Sequence, residues 1–448
     1  MSSLLIRNAR VLTMGAAPSP PAAPSVSSGP RRGRDAMNDL GVLPSADVFI
    51  DRGIISLIQS PSRDHLAARA IVMGQLAAAD SIDAAGRVLM PAFADAHTHA
   101  LWAGDRLEEW ELKRKGVPYL DILKAGGGIM STVRAVRAAS QAELEDRLRA
   151  RLAVMLREGT TLVEVKSGYG LSTEHELKML RAIATVAAEA ARGGGAAVLP
   201  RVVPTALLGH ALDPDVPAHR FIDTTINETL PAVSAEFPGI AVDAFCEEGA
   251  WPQDACVRLF EKARALGHPI RIHADQFNCL GMTEWALEAD GVLSVDHLEA
   301  SRLLPRTWSE LNRRDVAPVV LPCTGFHTDG RYADGRALVD AGAPLVLATN
   351  CNPGSSPCSS MPMAIALAVR FLHLTPAEAI TSCTINAAML LCRQDPSLAA
   401  LAPRGIIAPG AAADLILLRH TDERLLACEF GGNPIDAVIT GGTVVTMR

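Results

Sequence analysis

Short apolar runs alternate with amphipathic stretches through the middle of the chain. Helical patterns cover Gln141 to Glu158, Thr173 to Arg192 and Gln253 to Leu266. Eight apolar runs between such patterns have the length and composition of buried parallel strands: Val88 to Ala94, Thr161 to Val165, Ala197 to Thr205, Ala241 to Phe245, Pro269 to His273, Gly291 to His297, Val316 to Leu321 and Pro344 to Thr349. Eight successive strand–helix units predict an α/β fold built on a (β/α)8 TIM-like barrel.

The two ends of the chain show a different, β-rich pattern. Their β-like runs are Leu4 to Leu12, Asp47 to Ile50, Ile54 to Ile58, Asp414 to Leu418 and Ala437 to Met447. The last run contains Gly441-Gly442, which favours a hairpin turn. We therefore expect both ends to combine into one small β-sandwich domain.

Domain limits follow from these two patterns. Residues 1–87 and 406–448 are predicted to form the two parts of the small β domain, and residues 88–405 the barrel. Residues 15–44 are rich in Pro, Ala, Ser and Gly. Such a segment buries too little apolar surface to offset the entropy of ordering it, so we predict a mobile insertion there.

Composition narrows the class of protein. The 448 residues are 49% hydrophobic, with a formal net charge of −7. No long basic run is present, which argues against nucleic acid as a partner. The sequence has neither a signal-peptide pattern nor an apolar stretch long enough to span a membrane. Its nine cysteines include no Cys-x-x-Cys pair, so we interpret them as reduced thiols. Reduced thiols are typical of the cytosol, and we therefore expect a cytoplasmic protein.

Candidate metal ligands stand at predicted strand ends. His97 and His99 follow the first barrel run, and side chains two apart on a strand point to the same side. His273 ends the fifth run and Asn350 follows the eighth. Three imidazoles that leave an open position for water form a catalytic metal site, where the ion lowers the pKa of the water. The pattern predicts a metallohydrolase.

Further polar residues follow other strands. His297 ends the sixth run, where it could be a ligand, a proton shuttle or a structural residue. Arg106 lies a few residues past the histidine pair, and its planar guanidinium suits a substrate carboxylate. Tyr169 and His210 follow the second and third runs. At consecutive barrel strand ends, these residues become plausible substrate contacts.

Several segments together resemble the amidohydrolase superfamily and, within it, the imidazolonepropionase family. The resemblance covers nearly the whole chain except residues 15–44. His-x-His marks only the superfamily, whereas the Lys-Ser-Gly-Tyr-Gly and Cys-Glu-Glu segments are more specific. The matching segments are Asp95 to His99, Gly116 to Tyr119, Ala125 to Ile129, Glu164 to Gly170, Phe245 to Gly249, Ile272 to Gln276, Asp296 to Glu299 and Asn352 to Ser355.

This resemblance implies hydrolysis of 4-imidazolone-5-propanoate to N-formimidoyl-L-glutamate, a step of histidine degradation. It implies one Zn²⁺ or Fe ion per chain, a small carboxylate-bearing substrate and a homodimer. The implied metal ligands are His97, His99, His273 and Asn350. The implied substrate-binding residues are Arg106, Tyr169, His210, Gln276, Asn352, Gly354 and Ser355. The implied catalytic residues are His297, Gln276 and Asn350.

One departure from the family pattern is Asn350, which stands where the family has an aspartate. An amide offers a neutral oxygen but cannot act as a carboxylate base. Two alternatives therefore stay open: a related amidohydrolase or deaminase acting on another cyclic amide or amidine, or a weakly active metal- or ligand-binding relative. Arg106 favours an anionic side chain on the substrate over the neutral base of a deaminase substrate.

Overall fold

The computed structural model describes residues 3–15, 29–59, 80–117, 127–192, 198–302 and 305–447. Its strands are β1 (Leu4–Leu12), β2 (Val42–Asp51), β3 (Ile54–Gln59), β4 (Asp80–Asp83), β5 (Val88–Pro91), β6 (Phe93–Asp95), β7 (Thr160–Lys166), β8 (Arg201–Gly209), β9 (Ala241–Phe245), β10 (Ile270–Ala274), β11 (Val292–His297), β12 (Ala317–Val320), β13 (Val346–Leu347), β14 (Leu415–Leu418), β15 (Ile435–Thr440) and β16 (Thr443–Met447).

Several helices begin at a residue whose side chain caps the first turn. Ser140 and Glu143 form a capping box that starts the helix Gln141–Arg157, satisfying backbone N–H groups that the first turn leaves free. The helices are Gly33–Asn38, Leu107–Arg114, Ile129–Ala138, Gln141–Arg157, Thr173–Arg192, Ala218–Thr224, Leu230–Glu236, Gln253–Ala265, Met282–Glu288, Pro305–Arg313, Pro322–His327, Gly335–Asp340, Met361–Phe371, Pro376–Cys383, Ile385–Gln394, Pro396–Leu401 and Leu425–Cys428, with a π-helical turn at Thr225–Thr229.

Strands β6 to β13 form one parallel sheet in sequence order. Its two outer strands meet just beyond their ends, because Asn350 N donates to His97 O (3.1 Å) and His99 N donates to Cys351 O (2.9 Å). These bonds close the sheet and confirm the predicted (β/α)8 barrel. They also bring residues 97–99 and 350–351 into direct contact at the carboxyl ends of the strands.

A second sheet is built from both ends of the chain, as predicted. Its strand order is β16-β15-β14-β5-β1-β2-β3, and β4 pairs with β1. β1 lies parallel to β5, whereas β14 pairs with β5 in the antiparallel sense. Residues far apart in sequence, such as Leu89 and Leu417, thus share one buried layer.

The first predicted barrel strand proves to be two strands. Val88–Pro91 belongs to the end sheet and Phe93–Asp95 to the barrel. Ala92 N still donates to Asp414 O (3.0 Å), whereas Phe93 N donates to Gly159 O (3.0 Å). The chain therefore crosses between the sheets after Ala92, and not before Val88. The hydrophobic pattern did not reveal the crossing, because every side chain of both strands is buried and the two strands look like one apolar run.

Part of the predicted insertion also differs from expectation. Residues 16–28 lie outside the described residues. Residues 33–38 form a helix in which Met37 is fully buried, and β2 begins at Val42 rather than at Asp47. Arg31 N donates to the side chain of Asn386 (2.7 Å), so the segment from residue 29 onward packs against the barrel domain. In the part of the chain that is described, no helix is long and apolar enough to cross a membrane.

Candidate active site

Three histidines converge at the carboxyl ends of the barrel strands. One side-chain nitrogen each from His97, His99 and His273 lies within 4.8 Å of the other two, and all three residues are buried. The Nε2 atoms of His99 and His273 are 3.3 Å apart. His97 and His99 follow β6, and His273 lies within β10. The barrel therefore brings together the three histidines that the sequence predicted as metal ligands.

Carboxylates fix the orientation of two of these rings. Nδ1 of His97 donates to Asp296 (2.6 Å), and Nδ1 of His273 donates to Asp243 (3.0 Å). The proton on Nδ1 leaves a lone pair on each Nε2, and Nε2 of His97 is buried with no hydrogen-bond partner among the described residues. Burial lowers the pKa of His97 well below its ordinary value and that of His273 to about 3. Neutral, convergent and oriented imidazoles fit a transition-metal ion.

A buried ionic network lies beneath the histidines. Lys166 Nζ contacts Glu164 (2.6 Å) and Asp243 (2.8 Å), and Arg271 donates to Asp296 (2.7 Å). All five side chains have no exposed surface. Burial alone would raise the pKa of Asp243, but His273 and Lys166 lower it overall. Sequence reasoning missed this network, although charged residues inside apolar strand runs were a visible signal.

Asn350 lies directly beside the ligand cluster. Its backbone N–H donates to the carbonyl of His97 (3.1 Å), and its Nδ2 donates to Thr324 Oγ1 (2.8 Å). Its Oδ1 is buried and has no hydrogen-bond partner in the described ranges. The residue has φ = +54°, a conformation that Asn and Asp tolerate better than other side chains. The position therefore offers one neutral oxygen without a partner among the described residues, on a residue whose backbone is bonded to that of His97.

A cavity of about 680 Å³ opens over these strand ends. Two of its lining residues also contact the ligand cluster: His210 stacks on His99 at 5.1 Å between ring centroids, and Tyr169 lies 6.1 Å from the same ring. All seven predicted substrate-binding residues line this one cavity: Arg106, Tyr169, His210, Gln276, Asn352, Gly354 and Ser355. The fold thus gathers these seven residues from five separate loops around one space.

Arg106 is held in place by its neighbours. Nε donates to Glu109, Nη1 lies 3.3 Å from Thr132 Oγ1, and the side chain is 10% exposed. Glu109 also accepts from the backbone N–H of Gly128 (3.0 Å). At Gly354 a Cβ would lie 3.2 Å from Nη1 of Arg106, so glycine lets this loop approach the guanidinium closely.

The loop after β13 is shaped by Asn352. Its Oδ1 accepts from the backbone N–H groups of Gly354 and Ser355 (2.8 Å each), and its Nδ2 donates to the carbonyl of Asn350 (2.7 Å). Both the oxygen and the nitrogen of the Asn352 side-chain amide therefore form hydrogen bonds within the loop. It holds Gly354 and Ser355 against the cavity and ties the loop to Asn350.

His297 lies beside the ligands but outside their cluster. Its ring centroid is 5.7 Å from that of His97 and 5.3 Å from that of His273.

Two further predicted residues lie in the cavity wall. His210 donates from Nδ1 to the carbonyl of Gly168 (2.9 Å), and burial lowers the pKa of His210 to about 4. Gln276 is nearly buried in the cavity wall.

Two glutamates that sequence reasoning did not assign organise the cavity loops. Glu176 accepts from the N–H groups of Gly168 (3.0 Å), Gly170 (2.7 Å) and Leu171 (3.0 Å), on either side of Tyr169. Glu247 accepts from Phe277 N (2.8 Å), just after Gln276. Glu247 stood in a matching segment, whereas nothing local marked Glu176. The matching residues 118–119 and 125–126 lie outside the described residues.

The barrel, the end sheet and the histidine cluster define a class of enzyme. The family model described as "Amidohydrolase family" matches residues 88–445. The chain therefore belongs to the amidohydrolase family. A 5-methylcytosine deaminase from Klebsiella pneumoniae superposes with a TM-score of 0.68 at 17% identity, covering 99% of this chain and 97% of its own. At such low identity this likeness shows the fold alone.

Curated relatives narrow the class further. An imidazolonepropionase of Herpetosiphon aurantiacus is 44% identical over 375 residues, which cover 82% of this chain and 84% of that protein. An imidazolonepropionase of Deinococcus radiodurans is 39% identical over 418 residues, covering 92% of this chain and 95% of that protein. An imidazolonepropionase of Chloroflexus aggregans is 38% identical over 454 residues, covering 99% of this chain and 98% of that protein. The resemblance to imidazolonepropionases drawn from the motifs is thereby confirmed.

Proposed function

We propose that this chain hydrolyses 4-imidazolone-5-propanoate to N-formimidoyl-L-glutamate, a step of histidine degradation. The observation that carries the proposal is the cavity beside the three histidines, which gathers an arginine, a tyrosine, a histidine and a glycine-containing loop. The named relatives, similar over most of the chain, support the same reaction.

The cavity residues take separate parts in binding. Arg106 binds the propanoate carboxylate with the N–H groups that Glu109 and Thr132 leave free. Tyr169, His210 and Gln276 surround the ring. Asn352 holds the loop that presents Gly354 and Ser355 to the carboxylate end.

One Zn²⁺ or Fe ion per chain completes the site. His97, His99 and His273 hold it through neutral imidazole nitrogens, and Asn350 offers Oδ1. When bound, such an ion polarises a carbonyl oxygen and lowers the pKa of a water molecule. Because Asn350 cannot take a proton, His297 serves as the proton acceptor and Gln276 orients the ring.

The assembly and location of the protein follow the same resemblance. We expect a homodimer in the cytoplasm, with no nucleic-acid or membrane partner. Sedimentation velocity of the purified protein tests the dimer, and fractionation of the source cells tests the location.

The deciding experiment measures turnover of 4-imidazolone-5-propanoate by purified protein, with Zn and Fe assayed on the same sample. We expect hydrolysis with about one ion per chain. Bound metal without hydrolysis would contradict the proposal.

The weakly active relative is the competing hypothesis, and Asn350 motivates it. That hypothesis predicts activity in Asn350→Asp where the wild type has none. Comparable turnover by the wild type and by Asn350→Asp would contradict the competing hypothesis, because Asn350 would then cost the enzyme no activity.

A further inference from the structure

His297 and Glu299 form a buried pair at the end of β11. Both carboxylate oxygens of Glu299 lie 3.2 Å from Nδ1 of His297. The two side chains are only 3% and 4% exposed. Shielding from water strengthens such a contact relative to a surface pair.

A strained turn places Glu299 against the ring. His297 and Leu298 have φ values of +89° and +73°, which is costly for two successive residues with side chains. Leu298 N donates to Ala274 O (3.2 Å), and Ala300 N donates to Asp275 O (2.7 Å). The turn is therefore tied to the end of β10, the strand that carries His273.

The contact selects one tautomer of His297. A carboxylate at Nδ1 keeps the proton on that nitrogen and leaves the lone pair on Nε2. His97 and His273 have the same arrangement with Asp296 and Asp243. His297, however, lies outside the cluster of candidate ligands, so its lone pair is available for a proton.

The chain needs such an acceptor because position 350 carries an amide. In the ionic network beneath the histidines, Oδ2 of Asp296 accepts from His97 and Arg271, and Asp243 accepts from His273 and Lys166. Glu299 instead faces His297 directly.

We propose that Glu299 is a positioning residue that fixes Nε2 of His297 as the proton acceptor, and that this arrangement compensates for Asn350. The proposal rests on the hydrolysis proposed above. The oxygen of water forms a bond to the ring carbonyl carbon while one water proton passes to Nε2. The carbon–nitrogen bond then breaks, its electron pair stays on the ring nitrogen, and that nitrogen takes the proton from His297. One water molecule is added in total.

Nuclear magnetic resonance tests the tautomer without any substrate. Two-bond ¹H–¹⁵N spectra of protein labelled with ¹⁵N-histidine distinguish rings protonated on Nδ1 from those protonated on Nε2. The His297 signal is assigned by its loss in His297→Gln. We expect Nδ1 protonation in the wild type and in Glu299→Asp, and loss of that preference in Glu299→Leu, which removes the hydrogen-bond acceptor at Nδ1. An unchanged tautomer in Glu299→Leu would overturn the proposal whatever the activity.

Kinetics test the compensation for Asn350. We expect Glu299→Gln to lower kcat about 10- to 100-fold with KM and metal content unchanged, and Glu299→Asp to retain more of kcat. In an Asn350→Asp background the same substitution should cost far less, because a carboxylate is restored. The proposal is refuted if Glu299→Gln lowers kcat equally, within about twofold, in both backgrounds. It is also refuted if the Glu299→Gln protein loses its metal.

The matched control is Glu429→Gln. Glu429 is 45% exposed and lies 3.2 Å from His420. The pair is far from the barrel strand ends in sequence, and we expect wild-type kcat. If the wild type does not hydrolyse 4-imidazolone-5-propanoate, the proposed function fails, while the tautomer measurement still decides the role of Glu299.

Discussion

Replacing Arg106 by glutamine tests how the cavity binds a carboxylate. The guanidinium is 10% exposed, and Glu109 and Thr132 engage Nε and Nη1. Among the described residues, the remaining N–H groups of Nη1 and Nη2 have no hydrogen-bond partner, so they can bind the substrate. In Arg106→Gln, Glu109 keeps Lys113 (2.7 Å) and the N–H of Gly128 (3.0 Å) as partners. The substitution therefore removes the ligand contact without leaving Glu109 unpaired.

The magnitude follows from that geometry. A hydrogen bond to a charged group contributes about 1.5–3 kcal/mol when it is shielded from water. At about 1.4 kcal/mol for each tenfold, the loss of one such bond lowers kcat/KM about 10- to 150-fold. The propanoate group is remote from the ring amide and is bound equally in the ground state and the transition state. The loss should therefore appear in KM, with kcat nearly unchanged.

Steady-state kinetics with two substrates provide the assay. The second substrate is the analogue in which the propanoate is a neutral propanamide. The wild type should discriminate against this analogue, whereas Arg106→Gln should treat both compounds alike. Arg114→Gln removes an exposed arginine of the same cavity, and we expect a KM change of less than about threefold. A drop in kcat at constant KM, or undiminished discrimination in Arg106→Gln, would refute the carboxylate role.

Four further outcomes are expected. Lys166→Met leaves Arg271 as the one cation of the buried network that holds Glu164, Asp243 and Asp296, and should lower the free energy of unfolding by about 3–5 kcal/mol in urea denaturation; the exposed Lys115→Met should change it by less than about 0.5 kcal/mol. Glu176→Gln, which disturbs the loop carrying Tyr169, should cost about 1–3 kcal/mol in the same assay and also lower kcat/KM; unchanged kcat/KM would show that the loop does not position Tyr169. Asn350→Asp should bind Zn²⁺ about tenfold more tightly or better in competition with a chelator, and equal affinity would show that residue 350 does not contact the ion. Removal of the metal should lower the thermal midpoint, since an ion present at about 100 times its Kd contributes about 2.7 kcal/mol.

The sequence alone determined the architecture and most of the candidate site. The apolar or amphipathic pattern of a single segment indicates a strand or a helix without reference to distant tertiary contacts. Eight successive strand–helix units therefore predicted the barrel. Carboxyl ends of parallel strands meet at one face, so His97, His99 and His273 could be expected to converge. The motif matches supplied the cavity residues that no periodicity marks.

Only the tertiary structure decided features that depend on partners distant in sequence. The crossing after Ala92 separates two sheets whose strands look alike locally, because both bury every side chain. The carboxylates that orient His97 and His273 come from β11 and β9, and the Lys166–Arg271 network assembles only when the barrel closes. The contact between His297 and Glu299 requires two left-handed residues held by bonds to β10. Such backbone conformations are strained in isolation and persist only where the surrounding fold imposes them.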